Sequence, residues 1–280
     1  MILLLGAFWA QANAPDLSSV PPDLSPPAMT REAPAPGKRV RQTTPGWEDS
    51  DVHHALYLPK RWTAGNRYPV IVEYAGNGGF KNAFGDVSTG TVDGSNLGYG
   101  ISGGDGFLWV CMPYVRVTGG RKENAANWWG DVEETKRYCL RTVALVCEQY
   151  GGDGKKLVLA GFSRGAIGCN YIGLHDDEIA PIWRAFVTFS HYDGQLTTWG
   201  YPGADRATAL DRLKRLRGRP QFISMENSVE PIRQYVAGTG VAGDFTFQTI
   251  PFRNHSDQWV LRDVPERKVL RDWLQKALRD

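Results

Sequence analysis

Residues 156–172 confine this chain to a small set of folds. Lys156-Leu157-Val158-Leu159-Ala160 is a short apolar run of the kind that forms a buried parallel strand. Ala166-Ile167-Gly168-Cys169-Asn170-Tyr171-Ile172 opens as a helix rich in small residues. Between them lies Gly161-Phe162-Ser163-Arg164-Gly165. A serine on so sharp a strand-to-helix turn is forced outward. The glycines two residues to either side leave room for the tight backbone, and the N–H of Arg164 is aimed at the place where an oxyanion would form. G-x-S-x-G by itself arises by chance; a strand before it and a helix after it make Ser163 a candidate nucleophile.

Such a serine needs a base and an orienting acid later in the chain. His255 is the candidate base. It stands at the tip of a polar loop after the β-branched and aromatic run Phe245-Thr246-Phe247-Gln248-Thr249-Ile250, and an amphipathic helix follows from about Val264 to Leu278. His53 and His54 are neighbours on a strand and point to opposite faces. His175 heads an acidic run, and His191 stands two residues before Asp193. Three carboxylates compete for the role of acid. Glu230 precedes Pro231, which favours a helix start there, and is preferred. Glu226 lies nearer the end of the strand Gln221-Phe222-Ile223-Ser224-Met225, and Asp193 follows the preceding strand. A second oxyanion donor is expected from Ala75-Gly76-Asn77-Gly78-Gly79 after the strand Tyr68 to Tyr74. Glycines there leave backbone N–H groups bare, and the position after Gly76 points to the N–H of Asn77.

With these segments the chain resembles the α/β-hydrolase superfamily, from about Val52 onward. More narrowly it is similar to the secreted esterase and prolyl-oligopeptidase-like branch, which includes feruloyl and acetylxylan esterases and polyhydroxybutyrate depolymerases. Leu56-Tyr57-Leu58-Pro59-Lys60 and Tyr68-Pro69-Val70-Ile71-Val72 match that branch's opening strand pair. Ala75-Gly76-Asn77-Gly78-Gly79 matches its His-Gly-type oxyanion turn with alanine replacing histidine. The branch's Gly-x-x-Asp at the acid position is replaced by Glu226-Asn227-Ser228-Val229-Glu230. The resemblance implies a triad built on Ser163 and His255, with Asn77 and Arg164 as backbone oxyanion donors and neither cofactor nor metal; the acid rests on the reading of the residues, which prefers Glu230 over Glu226 and Asp193.

The order of elements agrees. Strands alternate with helices from about residue 52 to the C-terminus, which predicts an α/β fold with a mostly parallel central sheet and helices on both faces. Ligands of such sheets bind beyond the carboxyl ends of the strands. The 280 residues suffice for one large domain, and a formal net charge of +2 implies no polyanionic partner. The basic stretch from Arg212 to Arg219 reads as the wet face of a surface helix, so no nucleic-acid partner is expected. Gly98-Tyr99-Gly100-Ile101-Ser102-Gly103 fits G-x-G-x-x-G without the flanking strand and helix that a dinucleotide site requires.

Residues 1–14 read as a signal peptide, with an apolar core from Ile2 to Ala10 too short to span a bilayer and Ala12-Asn13-Ala14 as the cleavage pattern. Residues 15–45 read as a Pro-rich disordered linker, with seven prolines between Pro15 and Gly37. Residues 46–280 form the catalytic domain. The product is expected to be secreted or periplasmic, with no stable membrane insertion. Cys111, Cys139, Cys147 and Cys169 show no metal spacing and read as buried free thiols. Asn254-His255-Ser256 is a glycosylation sequon on which a glycan would block the base. Trp128 and Trp129, and Trp199 and Tyr201, are candidate platforms for sugar or phenolic rings. The expected activity is serine-dependent hydrolysis of a carboxylic ester, on a small-molecule or polysaccharide-linked substrate. Alternatives are a prolyl-oligopeptidase-like serine peptidase and a non-catalytic binding protein on the same scaffold.

Overall fold

The computed structural model describes residues 14–279; the expected signal peptide therefore lies almost wholly outside the described residues. In chain order the strands are β1 (Met29–Thr30), β2 (Arg39–Gln42), β3 (His54–Tyr57), β4 (Tyr68–Tyr74), β5 (Phe80–Lys81), β6 (Val87–Ser88), β7 (Leu108–Met112), β8 (Val115–Thr118), β9 (Arg121–Asn124), β10 (Gly152–Phe162), β11 (Ala185–Phe189), β12 (Pro220–Glu226) and β13 (Asp244–Ile250). The α-helices are α1 (Leu97–Ser102), α2 (Val132–Tyr150), α3 (Arg164–Tyr171), α4 (Arg206–Lys214), α5 (Glu230–Gly238) and α6 (Pro265–Ala277).

Nine strands form one sheet in the order β1-β2-β3-β7-β4-β10-β11-β12-β13. From β7 to β13 every pairing is parallel, and β3 runs antiparallel to both β2 and β7. The expected mostly parallel sheet is therefore present. Its central strands are apolar on both faces because helices cover both. Along β4, Val70 and Val72 face one core and Ile71 the other; along β10, Leu157 and Leu159 alternate in the same way with Val158 and Ala160. Helices α2 and α5 supply Tyr138, Val143, Ile232 and Val236 to the first core. Helices α1 and α6 supply Ile101, Leu270 and Leu274 to the second.

Helix α2 shows why the sequence breaks where it does. The Asp131 carboxylate caps its first turn by accepting from the Glu134 N–H at 2.8 Å, and Gly151 ends it in the left-handed region at φ 77°. Helix α1 was not anticipated. A Cβ at Gly98 would lie 2.1 Å from the Trp109 ring, so the residue is small because β7 packs against it.

The structure also corrects the linker. Residues 15–45 are not disordered: β1 and β2 extend the main sheet, Val40 is fully buried, and Leu17 sits in the second core. A proline-rich composition limits regular secondary structure to short pieces here, and does not preclude packing. All four cysteines are free, with Cys111, Cys139 and Cys169 buried and Cys147 half-buried. Among the described residues no helix is long and apolar enough to cross a membrane.

Among the glycines of the described residues, the tightest approach lies where β10 turns into α3. A Cβ on Gly165 would sit 1.9 Å from the Tyr74 carbonyl oxygen, and one on Gly161 would sit 2.0 Å from that of Gly165. Both atoms struck are backbone, so relief requires moving a strand. Gly165→Ala is expected to lower unfolding stability by about 1–3 kcal/mol in urea titrations, and Gly154→Ala, in open space, to change it little.

Candidate active site

Strands β10, β11 and β12 end alike. Each runs straight into a non-glycine residue with positive φ: Ser163 at 54°, Ser190 at 83° and Asn227 at 62°. The N–H of each donates to the next strand over: Ser163 to Phe189 O at 2.9 Å, Ser190 to Ser224 O at 2.9 Å, and Asn227 to Ile250 O at 3.0 Å. These bonds hold the strained backbone in place and turn the adjacent side chains toward one point above the sheet.

At that point Ser163 Oγ lies 3.0 Å from His255 Nε2, and His255 Nδ1 lies 2.7 Å from Glu226 Oε1. Serine, imidazole and carboxylate are in hydrogen-bonding sequence. The Ser190 hydroxyl joins them, 2.9 Å from Glu226 Oε1 and 2.8 Å from His255 Nδ1. It donates to the carboxylate while lying beside the imidazole N–H. The imidazole is held from the sides by rings, with centroids at 4.8 Å for Phe162 and 4.7 Å for Phe80.

Glu226 is buried, which works against its ionisation. The His255 ring and the Ser190 hydroxyl outweigh burial and hold its carboxyl below the usual carboxylate range. The carboxylate is thus available as an anion to fix the Nδ1–H tautomer and to stabilise an imidazolium.

The preferred acid, Glu230, is not at the site. It is the first residue of α5, about half exposed, and is paired with Arg233 and Gln234 one turn along. The proline after it marks a helix start, as read from the sequence, but a helix start points this side chain along its own helix. Asp193 is committed elsewhere, buried in a two-pronged ion pair with Arg212 at 2.8 and 3.0 Å. The residue the structure brings to the imidazole is Glu226, the last of β12. Among the other histidines, His54 is buried against the Tyr138 hydroxyl at 2.9 Å and His175 meets Glu133 at 3.1 Å, both away from Ser163.

Ser163, Asn77 and Arg164 border one cavity of about 750 Å³. Among the described residues the N–H groups of Asn77 and Arg164 have no protein acceptor, whereas the neighbouring Gly78 N–H is taken by Ala126 O at 2.8 Å. Arg164 opens α3, where no carbonyl one turn back can reach its N–H. The Asn77 side chain is used structurally, its Oδ1 accepting from the Trp128 N–H at 2.8 Å.

The Arg164 side chain does not serve the cavity with charge. Its guanidinium is buried, lies over the Tyr114 ring at 4.0 Å, and donates to the carbonyls of Trp128 at 2.7 Å and Gly90 at 3.2 Å. Burial lowers its pKa to about 10. It thereby ties the turn at Ser163 to the two loops that form the rim. One of those loops presents Trp128 with φ 50°, a strained conformation for an indole-bearing residue. Trp128 and Trp199, 5.7 Å apart edge to face, form one wall with Ile167 and His191; Phe80 and Phe84 stand among the remaining lining residues. Trp129 turns inward and stacks on Tyr171 at 4.4 Å, so the two adjacent tryptophans divide between rim and core. Burial and the neighbouring His255 lower the His191 pKa to about 4, keeping that ring neutral.

No family model matches the chain, and no curated protein does. Solved structures do. An S-formylglutathione hydrolase from Agrobacterium tumefaciens aligns over 85% of this chain and 92% of its own, at TM-score 0.54 and 15% identity. A thermostable esterase aligns over 85% and 62%, at TM-score 0.54 and 12% identity. The AtxE2 isopeptidase aligns over 86% of this chain, at TM-score 0.53 and 13% identity. This is the α/β-hydrolase fold. The chain spans 35% and 40% of the first two peptidase-type chains it matches.

Within that fold the acid is open to direct test. Glu226→Gln should slow phosphonylation of Ser163 by a fluorophosphonate by about 10⁴-fold, the loss expected when an imidazole is left in the wrong tautomer. Glu230→Gln should leave the rate within about threefold of the parent protein. Ser190→Ala removes one of the groups that keep Glu226 ionised. The carboxyl pKa then rises, and the acid limb of the rate profile should move to higher pH.

Proposed function

We propose that the protein is a serine hydrolase that cleaves carboxylic esters through an acyl-enzyme. The observation that carries this reading is the unbroken relay from Ser163 Oγ through the His255 ring to Glu226 Oε1, at 3.0 and 2.7 Å, beside two unengaged backbone N–H groups.

In this mechanism Ser163 Oγ attacks the acyl carbon while His255 Nε2 takes the hydroxyl proton. The carbonyl π pair moves onto oxygen, and the N–H groups of Asn77 and Arg164 stabilise the resulting oxyanion. The tetrahedral adduct collapses, expelling the alcohol, which leaves with the proton from His255. Water then enters, gives a proton to His255 and attacks the acyl carbon. The second collapse restores Ser163 and releases the acid. Glu226 remains ionised throughout, orienting the imidazole and balancing its charge.

An open, aromatic-walled cavity of about 750 Å³ suits an ester with a ring-bearing or bulky group. This supports a carbohydrate-linked or polymeric ester as substrate. The apolar run and small-residue pattern of residues 1–14 support secretion, and cleavage after Ala14 would leave the ordered chain from Pro15 onward intact. The second reading is a serine peptidase with the same relay, favoured by the isopeptidase among the structural neighbours.

Ser163→Ala should abolish turnover of p-nitrophenyl esters while leaving the melting temperature nearly unchanged. Loss of the nucleophile costs about 10⁶-fold in comparable enzymes, so a variant retaining a tenth of the parent kcat would exclude the serine mechanism. A parallel panel of acetyl and feruloyl esters against aminoacyl amides decides between the readings. Turnover of the amides at rates comparable to those of the esters would favour the peptidase.

A further inference from the structure

We propose that the segment from Pro15 to Leu24 belongs to the catalytic apparatus, with Asp16 as a positioning residue that, together with Asp86, fixes the loop carrying His255. This rests on the serine-hydrolase reading above.

Between the end of β13 at Ile250 and the 3-10 turn Asp257–Leu261, residues 251–256 have no regular secondary structure. The polar groups of such a loop must find partners outside it. Those next to the base find them on two distant pieces of chain. The Arg253 N–H donates to Pro15 O at 3.0 Å, and the Arg253 guanidinium donates to Asp16 Oδ2 from Nη2 at 2.6 Å and from Nε at 3.1 Å. Asn254 Oδ1 accepts from the Leu17 N–H at 2.7 Å. On the other side, Asn254 Nδ2 donates to Asp86 Oδ1 and the His255 N–H donates to Asp86 Oδ2, both at 2.9 Å. Three consecutive residues ending in the base are thus clamped between Asp86 and a segment some 237 positions away in sequence.

The segment is itself anchored. Leu17 is buried in the same core as Phe252. The N–H groups of Asp23 and Leu24 both donate to Leu261 O at 3.1 Å, Arg262 Nε donates to Val20 O at 2.8 Å, and the Asp23 carboxylate accepts from Arg267 at 2.6 and 2.7 Å. Asp16 is also aimed before Arg253 reaches it, because its Oδ1 accepts from the Ser18 N–H at 2.9 Å and the Ser18 hydroxyl at 2.7 Å. Those bonds, that of the Ser18 N–H first, and then Arg253 lower the Asp16 pKa to about 2. The clamp therefore stays charged wherever an imidazole base can work.

Functional weight follows from geometry. The 3.0 Å separation of Ser163 Oγ and His255 Nε2 depends on where residues 253–255 hold the base. A displacement of about 1 Å in a reacting group can cost about 10²-fold in rate. A partly exposed ion pair contributes little to global stability, so the signature of a positioning role is a loss of kcat without a matching loss of fold.

The test compares the full-length protein with Asp16→Ala, Asp16→Asn and Asp16→Glu, reading kcat and KM on p-nitrophenyl acetate, melting temperature, and the far-downfield proton resonance of His255 Nδ1–H. Expected are a kcat about tenfold lower or more per folded molecule for the alanine and asparagine variants, KM within about twofold, and a broadened or shifted resonance. The glutamate variant should recover most of the rate. If Asp16→Ala fails to accumulate folded, Asp16→Asn is read by the same criteria, since its Oδ1 can still accept from Ser18 while the amide nitrogen in place of Oδ2 offers Arg253 neither charge nor acceptor. The proposal is overturned if kcat per folded molecule stays within twofold of the parent and the resonance is unchanged. A parent protein whose Ser163 a fluorophosphonate fails to label would instead overturn the hydrolase reading itself.

Discussion

The rest of the site depends on one close approach, that of the chain after β10 to the end of β4. With Gly165 pressed against the Tyr74 carbonyl, the backbone has room for only one sharp reversal. Ser163 takes it at φ 54° and ψ −114°, outside the broad allowed regions for a residue with a side chain. Such a conformation costs about 1–3 kcal/mol and persists only when its surroundings over-determine it. Here they do, through the bond to Phe189 O on one side and the start of α3 on the other. The same reversal that strains the serine places it above the sheet at the edge of the cavity and leaves the Arg164 N–H without a helical acceptor.

Two neighbouring strands repeat the device, and the repetition organises the chemistry. Parallel strands end at nearly one level, so residues at their carboxyl ends converge without long loops to carry them. Ser163 follows β10, Ser190 follows β11, and Glu226 closes β12 immediately before the strained Asn227. In the relay from Ser163 to Glu226, His255 comes from an irregular segment, and it draws its support from elsewhere in the chain. Arg164 gives the other side of the cavity a comparable brace, its buried guanidinium drawing the Gly90 and Trp128 carbonyls toward the turn at Ser163.

The fold was legible in the sequence because its strongest signals are local. The strand from Tyr68 to Tyr74 was read with the bounds the structure gives it, and the final helix, read from about Val264 to Leu278, spans Pro265–Ala277. Apolar runs and capping residues decide such elements within a few positions. Ser163 and His255 were legible for the same reason, each lying just beyond a well-marked strand. The acid was misassigned because a local rule was applied to a non-local question. Pro231 does mark a helix start, but reaching the imidazole depends on where β12 stops, and Glu226 stops it. Ser190 gave no signal beyond its place after β11, since one serine among many carries no pattern. The segment before residue 45 was misread because its partners, Arg253, Asn254 and Arg267, lie more than two hundred residues away. Composition cannot report such pairings.

The Asn254 side chain bears on how this protein can be produced. Its carboxamide is buried and used at both ends, accepting from Leu17 and donating to Asp86, so the folded molecule offers no acceptor for a sugar. The sequon it heads is readable only while the chain is unfolded. A secretory pathway that attaches oligosaccharides during translocation would meet it in that state. A glycan placed there would occupy the donor nitrogen and stand where the Asp86 loop must close. The native packing of residues 253–255 and glycosylation at Asn254 are therefore mutually exclusive, and a host without that modification is the compatible choice for expression.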